Sequence, residues 1–215
     1  MLSVTEENYL KNILLLSRVE DEVAVNEISH ALDLKMPTVN SMMKRLAQKG
    51  YVIAERYKPI TLTEKGKKEA MLILRRHRLA ETFLVKHMGF KWDEVHDIAE
   101  QIEHIQSQPF FDKMDELLRY PQMDPHGELI PNKEGEIKQL NHYTLNEVKE
   151  AQKYEFISLA DSSDEFLKFL NSKKLKLGQT IEVIKREPYD NSLTVRYNGH
   201  TEVFSKKVCS KILVE

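Results

Sequence analysis

Cysteine is all but missing: Cys209 stands alone in 215 residues, which excludes an internal disulfide framework and any multi-cysteine metal site. Long apolar runs are missing too. None comes near the roughly 20 residues that cross a bilayer, so no transmembrane helix and no membrane partner are expected. The opening MLSVTEENYL has neither a basic start nor an apolar stretch, which speaks against a secretory signal and for a cytoplasmic protein. There is no internal repeat and no low-complexity tract. Neither an HExxH pair nor a nucleophile elbow occurs, which leaves a hydrolytic enzyme weakly supported. What remains is 41% hydrophobic and 31% charged, a globular composition. At roughly 100–200 residues per domain, the length suits two domains, or three small ones.

The net charge of −2 conceals an uneven distribution. Residues 1–34 hold Lys11 and Arg18 against seven acids, net −5. Residues 35–78 hold twelve Lys/Arg against Glu55, Glu64 and Glu69, net +9, which leaves −6 for the rest. A basic segment in an acidic chain suits a phosphate-binding surface, because neutralising phosphates releases condensed counterions. The plainer alternative is a solvated helix face balanced by acids nearby in space.

Periodicity then orders the elements. Thr5, followed by Glu6 and Glu7, reads as a helix cap with acids in the first turn. Leu10, Ile13, Leu14 and Leu16 continue that helix to about Ser17, where RVEDE closes it. Asn26 is expected to cap a short second helix. Pro37 opens a third, whose inner stripe is Val39, Met42, Met43 and Leu46, with Gly50 as its terminator. YVIAER and PITLT read as a hairpin turning at Tyr57-Lys58. Helix, helix–turn–helix and hairpin form the winged helix-turn-helix order, whose second motif helix enters the major groove. A long helix to Gly89 follows, then helices over about Asp93–Ser107 and Pro109–Tyr120. Prolines and glycines mark 121–141 as a linker, and a short helix is expected over Thr144–Ala151. QTIEVIKRE, SLTVRYN, TEVFS and SKILV, with Cys209 in a late strand, suggest a small barrel. The expected fold is mainly α with a small β part. Its divisions are a winged domain (1–70), a helical domain (71–122), to which the residues below assign metal binding and the resemblance below dimerisation, a linker (123–150) and a barrel (151–215).

The most informative stretch is HRLAE at 77–81 with HDIAEQIEH at 96–104. His77 and Glu81 are four apart and share a helix face, as do His96, Glu100 and His104, with Glu103 beside them. A single i,i+4 His–Glu pair is commonly a surface contact worth a few tenths of a kcal/mol. Six candidates on two neighbouring helices carry more information. Imidazole and carboxylate without thiolate suit Mn(II) or Fe(II) and admit Zn(II), Co(II) and Ni(II). Di-iron bundles use Glu-x-x-His pairs on two helices, and Glu100-x-x-Glu103-His104 has the wrong spacing for one. His126, in a Pro/Gly loop, reads as a loop hydrogen-bonding residue.

In order and motif these residues resemble the diphtheria toxin repressor family, including its manganese transport regulators. The matching pieces are TEENYLKNI, PTVNSMMKRLAQKGYV, LTEKGKK, RRHRLAETFLVKHMGF, WDEVHDIAEQIEH and DPHGELIP. The C-terminal strands resemble the SH3-like (FeoA-like) domain of longer members. The resemblance implies a homodimeric, metal-activated transcriptional repressor of metal homeostasis, not an enzyme. It implies one metal site of His77, Glu81 and His96 with a barrel ligand, for which Asp161 is the candidate. It implies another of Glu100, Glu103 and His104 with Asn8. A carboxylate at Glu100, as in manganese-type members, favours Mn(II), with Fe(II) next. The chain departs from the family at Asn8, where Met or Asp is usual, and at Lys11, where manganese-type members carry Glu. A lysine beside Glu100 or Glu103 would give an ion pair in place of a site.

On this reading Lys35, Pro37, Thr38, Asn40 and Ser41 face base edges or nearby phosphates, and Lys44, Arg45, Arg56 and Lys58 contact phosphates of a palindromic double-stranded operator. Short polar side chains leave much of the selectivity to backbone contacts and DNA shape. The expected dimer interface uses Ile98, Ile102, Phe111, Leu117 and Leu118. The alternatives are a winged-helix regulator not gated by metal and a metal-dependent enzyme; metal-independent DNA binding would mark the first, substrate turnover the second.

Overall fold

The computed structural model describes residues 2–17, 21–56, 58–137 and 142–215. It divides into two compact units, one of Met1–Phe83, Asp97–Gln122 and Ile130–Ile137, the other of Leu84–His96, Met123–Leu129 and Lys138–Glu215.

In the first unit α1 (Val4–Leu16) begins at Ser3, two residues before the expected Thr5. The Ser3 hydroxyl accepts the Glu6 N–H and the Glu6 carboxylate accepts the Ser3 N–H. That reciprocal pair needs the S-x-x-E spacing, which Ser3 has. Helix α2 (Val25–Ala31) starts from Ala24 rather than Asn26, with the Glu27 carboxylate taking the Ala24 N–H at 2.7 Å. After a turn with Asp33 at φ 50°, α3 (Met36–Gln48) runs with Pro37 in its first turn, where a missing N–H costs nothing. Val39, Met43 and Leu46 point inward. Strands β1 (Val52–Ile53) and β2 (Thr61–Leu62) pair antiparallel, and the bridge Val23↔Ile60 extends the ladder. The expected turn residue Tyr57 and the helix-closing residues 18–20 lie outside the described residues.

Helix α4 (Glu64–Met88) is followed by α5 (His96–Ile102) and α6 (Gln108–Leu117). Both are shorter than the expected Asp93–Ser107 and Pro109–Tyr120. Arg119 and Tyr120 sit at φ 60° and 57°, a left-handed pair that cannot continue a helix. Two apolar clusters hold this unit. One joins Tyr9, Leu10, Ile13, Ile28, Val39, Leu46 and Ile73; the other joins Leu79, Phe111, Met114, Leu118 and Ile130. Phe111 and Leu118, expected at a dimer interface, are therefore interior, because they sit on the α6 face turned toward Leu79. Phe110, Leu117 and Ile105 are the apolar side chains left exposed there.

The second unit contains β3 (Tyr143–Thr144), β4 (Gln152–Leu159), α7 (Asp164–Ser172), β5 (Thr180–Arg186), β6 (Leu193–Tyr197), β7 (His200–Phe204), α8 (Lys206–Cys209) and β8 (Ile212–Val214). Its sheet is antiparallel, in the order β3-β8-β4-β5-β6-β7. The helix expected over Thr144–Ala151 is instead the end of β3 and a series of turns. Cys209 closes the single-turn α8 rather than lying in a strand, with Ser205 accepting the Val208 N–H as its cap. The cysteine is fully buried, and burial pushes its thiol up to about 11. Phe156, Leu170, Ile181, Val195 and Phe204 form the core. Trp92 packs against it, its indole N–H donating to Asn171 Oδ1 at 2.9 Å. No helix of the described residues is long and apolar enough to cross a membrane.

Candidate metal centre

The four-residue spacing on α4 places His77 and Glu81 on one buried face, with His77 Nε2 3.1 Å from Glu81 Oε1. The other ring nitrogen, Nδ1, lies 2.6 Å from Glu103 Oε2. Glu103 follows the last turn of α5 and is fully buried. A carboxylate holding Nδ1 fixes the ring's orientation and directs Nε2 outward, as the partners of metal-ligating histidines do. Burial alone would lower the His77 pKa, but the hydrogen bonds to Glu103 and Glu81 outweigh it and raise it to about 9. Both ring nitrogens thus lie within hydrogen-bonding distance of a carboxylate oxygen.

Helix α1 supplies the remaining charge. Lys11 is 3% exposed; its ammonium donates to Glu100 and to Glu103 Oε2 at 2.8 Å, with Glu103 Oε1 in ion-pair contact at 2.7 Å. Glu7 Oε2 lies 2.5 Å from His104 Nδ1, while its Oε1 accepts from Arg76 at 3.0 Å and Gln106 at 2.8 Å. Buried carboxylates demand such compensation, since an unpaired one is strongly destabilising. The Asn8 side-chain oxygen is buried with no hydrogen-bond partner among the described residues. The imidazole nitrogen and carboxylate oxygen at His77 and Glu81 suit a divalent first-row ion. The Glu100–Glu103 pair is in contact with the Lys11 ammonium.

Other expected residues have different surroundings. His96 opens α5, is exposed and belongs to the second unit. Asp161 is held by Lys211 through one oxygen and accepts the Ser163 N–H through the other, at 2.9 Å, at the entrance to α7. Burial would raise its pKa, but these bonds lower it. Lys35, Pro37, Thr38, Asn40, Ser41 and Lys44 lie exposed at the start and along the outer face of α3. Arg45 is turned toward Glu6, at 2.8 Å. Arg56 and Lys58 are exposed in the hairpin loop, with Lys58 2.6 Å from Glu55.

Sequence reasoning missed Glu7, whose place in a first helical turn read only as a dipole effect. It also gave no role to Asp124, whose Oδ1 accepts the N–H groups of His126 and Glu128 at 2.8 and 3.0 Å. The buried His126 lies with Nδ1 4.0 Å from that oxygen, and its Nε2 meets the Trp92 carbonyl at 2.9 Å.

Three family descriptions match in series. Residues 1–60 match the iron dependent repressor N-terminal DNA binding domain, 63–132 its metal binding and dimerisation domain, and 143–215 the FeoA domain. The HTH-type transcriptional regulator MntR of Bacillus subtilis is 31% identical over 58% of this chain and 87% of its own length. The chain belongs to the iron- and manganese-dependent repressor family. Members are transcriptional regulators, not enzymes. The iron-dependent repressor IdeR of Mycobacterium tuberculosis is 34% identical over 59% of this chain, a match spanning 55% of IdeR's own length. A solved manganese-dependent transcriptional repressor in complex with manganese superposes with a TM-score of 0.88 at 29% identity, covering 97% of this chain and 98% of that one. In this chain the Lys11 ammonium lies between the buried Glu103 and the half-buried Glu100.

Proposed function

We propose that the protein is a homodimeric repressor that loads Mn(II) or Fe(II) at His77 and Glu81, and then binds a palindromic operator through α3. The observation that carries this reading is His77, oriented by Glu103 through Nδ1 so that Nε2 faces Glu81. A bound divalent ion would supply positive charge and directional coordination to this buried carboxylate-bearing face. Zn(II), Co(II) and Ni(II) would substitute in vitro, since affinity for such donors follows the general order of first-row ions rather than biological need. Asp161, already bonded to Lys211, is kept as a barrel residue rather than a ligand. In this reading residues 1–70 read DNA, 71–122 bind metal and dimerise, 123–150 link and 151–215 form the barrel.

Two α3 helices of a dimer reach successive major grooves when separated by about 34 Å, one duplex turn. Metal shifts the protein toward that spacing only as far as it binds the DNA-competent form more tightly. The exposed Phe110, Leu117 and Ile105 are the apolar side chains we assign to the subunit contact, and a monomer by ultracentrifugation with and without metal would overturn the dimer.

The test is fluorescence anisotropy of metal-stripped protein on DNA from its own upstream region, titrated anaerobically with Mn(II) or Fe(II). Affinity is expected to rise with metal for the wild type and not for His77→Ala or Glu81→Ala. Equal DNA affinity with and without metal would remove the sensing role and leave a winged-helix regulator of another kind.

A further inference from the structure

Among the described residues, His77, Glu100 and Glu103 bring one imidazole nitrogen and two carboxylate oxygens within 4.8 Å of one another. Such a set has the donors and the spacing of a divalent cation site. Glu100 and Glu103 are three apart on the same face, and Asn8 adds a buried, unpartnered amide oxygen one turn before Lys11 on α1. Yet a cation is already there. The Lys11 ammonium donates to Glu100 and to Glu103 Oε2 and is in ion-pair contact with Glu103 Oε1, and the lysine is 3% exposed.

We infer that Lys11 is the resident cation of this carboxylate pair, a tethered ammonium that fills the place of a divalent ion and keeps Glu100, Glu103 and Asn8 from taking one. Three physical points support it. The fully buried Glu103, with the half-buried Glu100 beside it, needs a positive partner, and an ammonium with three donors supplies one without an open coordination position. A divalent ion brought beside that ammonium would meet direct repulsion at close range in a poorly solvated setting. The lysine also has no easy exit, since leaving would uncover both carboxylates and bury its own charge unpaired. The link between α1 and the end of α5 is therefore an ion pair whose cation is part of the chain, while loading at His77 and Glu81 remains conditional. The inference extends the proposed function and rests on it only for the ion at His77 and Glu81.

The experiment is equilibrium dialysis of the metal-free full chain against Mn(II), with bound metal counted per chain, on wild type, Lys11→Met, Lys11→Gln and Lys11→Arg. Thermal unfolding with and without Mn(II) runs alongside. Lys11→Met and Lys11→Gln are expected to bind one more Mn(II) per chain than wild type and to gain more thermal stability from it. Adding Glu103→Gln to Lys11→Met should abolish the extra ion, and Lys11→Arg should match wild type. Folded Lys11→Met and Lys11→Gln with the wild-type count would overturn the inference. So would a failure of both to fold even in Mn(II), because a divalent ion would then not replace the ammonium. A wild type that binds no Mn(II) beside a Lys11→Met that binds one would uphold this inference and overturn the proposed function. Two ions in both would do the reverse.

Discussion

Replacing Gly66 by Ala sets two effects of opposite sign against each other. Gly66 lies in the first turn of α4 without a positive φ, so helix propensity alone predicts a gain of about 1 kcal/mol. A Cβ at this position, however, would lie 1.9 Å from the Tyr51 carbonyl oxygen and 2.9 Å from its carbon. Relieving that contact to even 3.0 Å requires a shift of more than 1 Å, and the obstacle is backbone next to β1, not a flexible side-chain tip. The same carbonyl accepts the Thr63 N–H at 3.0 Å, and the Thr63 hydroxyl accepts the Gly66 N–H at 3.0 Å. Separating the segments therefore strains two hydrogen bonds worth about 1 kcal/mol each, on top of overpacking costs of about 1–3 kcal/mol. Repulsion wins, and Gly66→Ala should lose about 2 kcal/mol net. Urea unfolding followed by far-ultraviolet circular dichroism measures this, with Lys67→Ala as the control in the same turn. Stability equal to or above wild type would refute the close approach of α4 to Tyr51.

Asp115→Ala should cost about 3–5 kcal/mol, because Arg75 is buried and bonded to Asp115 and the Pro131 carbonyl at 2.6 Å each; a loss under 1 kcal/mol in urea unfolding would discount the pair. Glu6 is buried, which raises its pKa, but the Lys49 bond, the Ser3 N–H and the Arg45 charge outweigh this and hold it below the ordinary carboxylate value of 4.5. Its depressed folded pKa gives stability that is present above 4.5 and lost as pH falls through the folded value. The melting-temperature gap between wild type and Glu6→Gln should thus be widest near pH 7 and close in acid, and a gap unchanged down to pH 3 would contradict it. Lys58→Ala should flatten the salt dependence of DNA binding by about one unit of slope, and an unchanged slope would strike Lys58 from the phosphate contacts. Cys209, buried with its thiol pushed up to about 11, should resist iodoacetamide at pH 8 in the folded protein and react once per chain in urea; native labelling would contradict its burial.

What was legible in the sequence was what local periodicity encodes. The stripe Val39, Met43, Leu46 gave α3, and the spacing of His77 to Glu81 gave their common face. Strand β4 was not legible, because the turns before it carry no glycine or proline and KYEFISL alternates only loosely. The single turn of α8 is too short for any period to announce. Glu7 was missed because its partners are remote: His104 is 97 residues away and Arg76 is 69. The pairing of Lys11 with Glu100 was foreseen only as an alternative, since no local rule decides whether two carboxylates meet a lysine or an ion.

Trp92 is the sole tryptophan in the chain, and it lies in the second unit, stacked on His126 at 5.9 Å and bonded to Asn171. The molecule thus carries one intrinsic optical reporter, and its surroundings are those of the β unit. Ultraviolet emission will follow the packing of that unit. A silent emission spectrum during a titration would speak only for the neighbourhood of this one ring.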